Sequence, residues 1–145
     1  MLKEEPRSLS TSFPYFLTGG VGTGKSHLLN AIHYEATRLL SPLTQQLETM
    51  LLVAYTGTAA FNTSGQTIHS AFNIHSFRKK YIPLYEDKLN ELKLKYRSLH
   101  LLLLIIDEIS MVDRGMLNYI SCRLDIIKQT IRSNLAFGKI SVLAA

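Results

Sequence analysis

Gly19-Gly20-Val21-Gly22-Thr23-Gly24-Lys25-Ser26 is the stretch that decides the fold. It joins two segments of different periodicity. Upstream, Tyr15–Thr18 is a short strand candidate that runs into the glycines. Downstream, Leu28, Leu29, Ile32, Ala36 and Leu39 recur at helical spacing across residues 25–40, and Ser41-Pro42 ends the helix. A strand, a glycine-rich turn and an amphipathic helix in succession are the start of a parallel α/β unit.

The turn has the spacing G-x-x-x-x-G-K-[ST], the Walker A pattern. Its chemistry follows from its residues. Glycines let the backbone wrap an anion with N–H groups pointing inward. The turn also feeds a helix N-terminus, whose partial positive charge favours phosphate. Gly19, Gly20, Val21, Gly22, Thr23, Gly24, Lys25 and Ser26 are therefore the expected nucleotide-binding residues. Lys25 is expected to reach the β- and γ-phosphates, and the Ser26 hydroxyl to hold Mg²⁺.

Further along, Met50–Tyr55 reads as a second buried strand, and Thr67–Phe72 as the start of a short helix. Leu89, Leu92, Tyr96 and Leu99 share one face of a helix over 84–99. Leu101–Ile106 is a third strand, Met116, Leu117, Ile120, Leu124 and Ile127 mark another amphipathic helix, and Ile140–Ala144 is a fourth strand. Alternating strands and helices predict a mostly parallel sheet with helices on both faces, a three-layer α/β sandwich.

The composition agrees with a single globular domain. The 145 residues are 46% hydrophobic and 19% charged, with net charge +5, a balance compatible with a polyanionic partner. A lone cysteine, Cys122, excludes an internal disulfide and speaks against a cysteine-based zinc site. Its helical neighbours suggest a buried structural thiol. The longest aliphatic run, residues 101–106, is far too short to span a bilayer. A soluble, intracellular chain without a secretory signal is the expectation.

Leu103-Leu104-Ile105-Ile106-Asp107-Glu108 is the second chemical signal. A buried strand ends in two adjacent acids, and parallel α/β sheets bind ligands at the carboxyl ends of their strands. Paired with the glycine-rich turn, Asp107 is expected to bind Mg²⁺ directly or through water. Glu108 is expected to orient and deprotonate the attacking water. Lys25, Glu108 and Asp107 are thus the candidate catalytic residues.

Gly57-Thr58-Ala59-Ala60-Phe61-Asn62, Gly65-Gln66-Thr67-Ile68-His69-Ser70-Ala71-Phe72 and Ile106-Asp107-Glu108-Ile109-Ser110-Met111-Val112 go further. With Phe16-Leu17-Thr18-Gly19-Gly20, they resemble the Pif-one helicases, superfamily 1 motors related to RecD, and in particular the eukaryotic branch that includes Helitron transposon helicases. The resemblance runs from about Phe13 to Ala145. It implies a P-loop NTPase fold of RecA type, with strand order first, fourth, third, second and with Tyr15–Thr18 and Leu101–Ile106 in the sheet interior. It implies ATP-driven unwinding in the 5′ to 3′ direction, ATP and single-stranded or forked DNA as partners, and a monomer off the membrane. It implies roles in repair, recombination and telomere maintenance, with the nucleus as location and the mitochondrion as alternative. In this family the segment matching Thr56–Ala60 and Thr67–Ser70 lines the single-strand path, so Thr56, Gly57, Thr67, His69 and Ser70 are the candidate DNA contacts. Small residues allow a phosphate backbone to approach there, and the hydroxyls and imidazole offer polar contacts.

The chain departs from the family pattern at several points. Tyr55 stands where the family usually has proline, and Lys139 follows a single glycine, Gly138, where the family often has two. The first glutamine is Gln45, so the adenine-reading glutamine expected before the first strand has no counterpart. The family's Gly-Asp-x-x-Gln-Leu motif and its second motor domain, with the arginine finger, lie past the segment matching Ala145. Residues 1–12 are therefore expected to be a tail, and 13–145 a first motor domain cut short at its C-terminus and inactive alone.

Two other readings compete. Gly19–Ile32 is also similar to the P-loop and helix of AAA+ replication loaders and initiators, but Asp107-Glu108-Ile109-Ser110-Met111 and Thr67-Ile68-His69-Ser70 argue against that family. A nucleotide-binding remnant without activity is the second. Arg78-Lys79-Lys80 reads as a solvated basic loop, and His27, His33, His75 and His100 lack metal-ligand spacing.

Overall fold

A computed structural model describes residues 12–40, 49–75, 81–98, 101–130 and 136–145. Its elements follow the expected alternation. They are β1 (Pro14–Phe16), α1 (Lys25–Leu40), β2 (Met50–Ala54), α2 (Gly57–Asn62), β3 (Gln66–Thr67), α3 (Ile68–Ala71), α4 (Glu86–Ser98), β4 (Leu103–Asp107), α5 (Arg114–Lys128) and β5 (Ser141–Ala144). Short 3-10 turns at Ile109–Met111 and Phe137–Lys139 flank α5.

The strands form one sheet in the order β1-β5-β4-β2-β3, and every pairing is parallel. The four strands expected from the sequence thus stand in the expected order. The addition is β3, two residues paired with Val53 and Ala54 at the far edge. It is too short for any periodicity to reveal.

Alternation along the strands builds two cores. Leu51, Val53, Leu104, Ile106 and Val142 face one side, against Ile68, Phe72, Leu92, Tyr96, Ile120 and Leu124 of the helices α3 to α5. Leu52 and Ile105 face the other, against Leu29 and the half-buried Ile32 of α1. Every residue of β2 is buried, which is why its sequence is continuously apolar rather than alternating.

Three expectations need correction. The first strand is not interior: β1 pairs only with β5, and Pro14, Tyr15 and Phe16 are all exposed. It is an edge strand that no helix among the described residues covers. The apolar stripe of α1 is narrower than the spacing suggested, since Leu28 is 45% and Leu39 63% exposed. Successive residues of a helix point about 100° apart, so Leu28 turns away from the sheet that encloses its neighbour Leu29. Cys122 is half-buried rather than enclosed. Ser41-Pro42, Gln45, Arg78-Lys79-Lys80, Leu99, His100 and the residues before Ser12 lie outside the described residues. No helix among the described residues is long and apolar enough to cross a membrane.

Candidate nucleotide site and strand-end cluster

The parallel sheet brings all the candidate residues to one end. β1 runs through Leu17 and Thr18 into the glycine-rich loop, β4 ends on Asp107, β2 leads to Thr56, and β3 leads into α3. The register aligns Ala54 with both Asp107 and Thr67, so the carboxyl ends of three strands lie side by side.

The loop is shaped by its glycines. Gly22 and Gly24 have φ of 76° and 83°, left-handed values that a side chain would strain. The Thr23 hydroxyl donates to the Gly20 carbonyl at 2.8 Å and closes the turn. Lys25 Nζ folds back over the loop and donates to the carbonyls of Gly19 and Gly20, each at 2.8 Å. The ammonium therefore hangs above the cradle. Beside it is a cavity of about 750 Å³ lined by the loop from Gly19 to Ser26, except Gly20, and by Asp107, Glu108, Ile109, Ser110 and Ala145. Sequence reasoning did not single out Ile109, Ser110 or Ala145 as site residues, and only the sheet order puts the last of these beside the loop.

The Ser26 hydroxyl donates to Asp107 Oδ2 at 2.9 Å, joining α1 to the end of β4. Asp107 is buried, and its other oxygen accepts from the N–H of Glu108 at 2.9 Å. Two hard oxygen donors from separate elements are thereby held at one point. Among the described residues no three His, Cys, Asp or Glu side chains group to hold a metal. Mg²⁺ needs no such group, because it is commonly held by one or two protein oxygens together with substrate phosphates. The Ser26–Asp107 pair fits that mode.

Glu108 sits in the left-handed region, at φ 57° and ψ 45°. Its carboxylate accepts from the Thr56 hydroxyl at 2.9 Å. This contact spans 52 positions and was invisible in sequence. Thr56 and Thr67 are the N-caps of α2 and α3, accepting from the N–H groups of Ala59 and Ser70 at 3.2 Å each. Gly57 and Ser70 are exposed. The half-buried His69 meets Tyr55 edge to face, with ring centroids 5.8 Å apart, so the tyrosine that replaces the family's proline supports this imidazole.

The description of the family whose model matches residues 7–145 is PIF1-like helicase. The chain belongs to the PIF1-like helicase family. It is similar to the ATP-dependent DNA helicase PIF7 of Trypanosoma brucei brucei, at 36% identity over 112 residues, covering 73% of this chain and 10% of that protein. It is similar to the ATP-dependent DNA helicase PIF1 of Candida albicans, at 36% identity over 129 residues, covering 89% of this chain and 13% of that protein. Among solved structures, Bacteroides Pif1 bound to ssDNA superposes with a TM-score of 0.63 at 29% identity, covering 92% of this chain and 28% of that one. The sheet and its helices are therefore the RecA-like core of a helicase motor. The chain spans only 10–20% of the length of the curated relatives it matches.

Proposed function

We propose that this segment is the first motor domain of an ATP-dependent DNA helicase that binds Mg²⁺-ATP at the glycine-rich loop and tracks 5′ to 3′ along single-stranded or forked DNA. The observation that carries the reading is the Ser26–Asp107 hydrogen bond at 2.9 Å. It joins the phosphate cradle to the acid that ends β4. Family membership supports the rest. Repair, recombination and telomere maintenance in the nucleus, or in the mitochondrion, are the settings this reading entails.

The residues would work as follows. Backbone N–H groups of the loop and of the α1 N-terminus meet the phosphate oxygens. Lys25 exchanges the Gly19 and Gly20 carbonyls for the β- and γ-phosphates, a swap of neutral acceptors for anionic ones. Ser26 and Asp107 hold the metal, which when bound neutralises charge on the transferring phosphoryl group. Glu108 orients the attacking water and takes its proton. Thr56, Gly57, Thr67, His69 and Ser70 meet the strand at the adjoining strand ends.

The test is single-strand-stimulated ATP hydrolysis and separation of a forked duplex by the full natural chain that carries this segment. Both activities are expected to vanish in Lys25→Ala and Glu108→Gln. Hydrolysis that survives Glu108→Gln would remove Glu108 from the chemistry.

A further inference from the structure

The Thr56 hydroxyl serves two masters. It accepts the Ala59 N–H at 3.2 Å, which caps α2, and it donates its single proton to Glu108 Oε2 at 2.9 Å. The cap is part of the segment read above as the strand path, and the carboxylate is the one read as the water-activating base. A side chain with one proton can satisfy one acceptor at a time. A phosphodiester oxygen is also an anionic acceptor, so it competes with Glu108 for that same proton.

We propose that Thr56 is a positioning residue that clamps Glu108 when no strand is bound and releases it when a strand phosphate captures the hydroxyl. The inference rests on the proposed function and adds its regulation. Three features support it. Thr56 and Glu108 are both half-buried, so a strand approaching the exposed Gly57 can reach the hydroxyl without unfolding anything. The clamp occupies an acceptor site on the carboxylate that a water would otherwise use. Glu108 is also fixed at its backbone, in a left-handed conformation with its N–H bonded to Asp107, so its side chain is the part free to swing. Strand binding is thus coupled to hydrolysis through one hydrogen bond within this domain.

The experiment compares hydrolysis rates with and without single-stranded DNA in the full natural chain. Thr56→Val removes the donor. Thr56→Gly also removes it but leaves an N-cap residue about as well tolerated as threonine, which keeps α2 intact if the valine variant fails to fold. Both are expected to raise the rate without DNA by about fivefold, the worth of one hydrogen bond, and to shrink the stimulation ratio by a similar factor. Thr56→Ser restores the hydroxyl and should return the ratio towards the native one. A merely structural role would lower both rates together. If strand-free hydrolysis stays level or falls in both Val and Gly variants, the clamp does not exist. Glu108→Gln separates the two readings: if it leaves hydrolysis intact, the proposed function itself has failed, whereas a dead Glu108→Gln beside a native-like Thr56→Val overturns the clamp alone.

Discussion

Ser26 Oγ lies 2.9 Å from Asp107 Oδ2, although the two residues are 81 positions apart. A loop and a strand end that share no local sequence are brought together because β5 inserts between β1 and β4 and sets their spacing. The proposed nucleotide chemistry would depend on this junction and on the core that supports it.

Lys25 carries the positive charge nearest the cradle. Lys25→Ala is expected to weaken ATP binding at least tenfold, about 1.4 kcal/mol or more. Titration calorimetry checks it, and equal affinity for both proteins would deny Lys25 its role.

In the proposed site Asp107 serves the metal more than the nucleotide. Asp107→Asn should bind nucleotide nearly as well as the native protein when no metal is added, but should lose the gain in affinity that Mg²⁺ brings. A Mg²⁺ titration at fixed nucleotide measures the difference, and an undiminished gain would count against metal binding at Asp107.

Residues 1–145 on their own should not separate strands and should hydrolyse ATP very slowly. Lys25, Glu108 and a metal supply only part of the charge stabilisation that phosphoryl transfer needs, and an arginine finger is worth about 10³–10⁵ in rate. Strand-separation and phosphate-release assays beside the full natural chain decide it. Robust unwinding by residues 1–145 would show that this one domain suffices.

Tyr96 makes stability depend on pH at the alkaline end. Its phenol is fully buried and donates to the Ala71 carbonyl, and burial raises its pKa well above the ordinary value of 10.0. The folded state therefore keeps the proton that the unfolded state gives up. The contribution is complete below pH 10 and is lost as pH rises above it towards the folded pKa. Urea midpoints should fall from pH 10 upward, and fall less steeply in Tyr96→Phe, which has no proton to lose. Parallel curves for the two proteins would contradict this.

Arg123 anchors the approach to α4. The side chain is fully buried, with its guanidinium over the rings of Tyr81 and Tyr119, and Nη1 donating to the Tyr81 hydroxyl at 3.1 Å. Tyr119 in turn donates to the Ile82 carbonyl at 2.8 Å. Arg123→Ala empties this site and is expected to cost about 2–4 kcal/mol. Chemical denaturation measures it, and a loss within 0.5 kcal/mol, roughly the scale of an ordinary surface change, would mean that the site collapses without penalty.

Sequence reading reached the main strands and their order because each is a continuous apolar run flanked by a chemically distinctive end. The shape of the glycine-rich turn was legible because Gly22, Gly24, Lys25 and Ser26 are local in sequence, so spacing alone encodes their geometry. Sequence reading failed where the answer depended on what packs alongside. Phe16 looks like core but lies on an uncovered edge, and Leu39 has helical spacing but no strand beneath it. Gln66–Thr67 pairs with β2 only because Gly65 lets the chain pass close to Leu52: a side chain there would sit 2.5 Å from the Leu52 carbonyl oxygen. The Thr56–Glu108 contact was hidden for the same reason, since no spacing rule connects residues on neighbouring strand ends.

The left-handed backbone at Glu108 sets selection for durability against selection for activity. A glutamate in that conformation costs on the order of 1–2 kcal/mol that glycine would largely avoid and asparagine would reduce. Laboratory evolution for heat resistance alone should therefore drift towards Gly or Asn at position 108, and every clone that does so should lose the carboxylate proposed to activate water. A lineage that had stopped hydrolysing nucleotide would be free to make the same exchange.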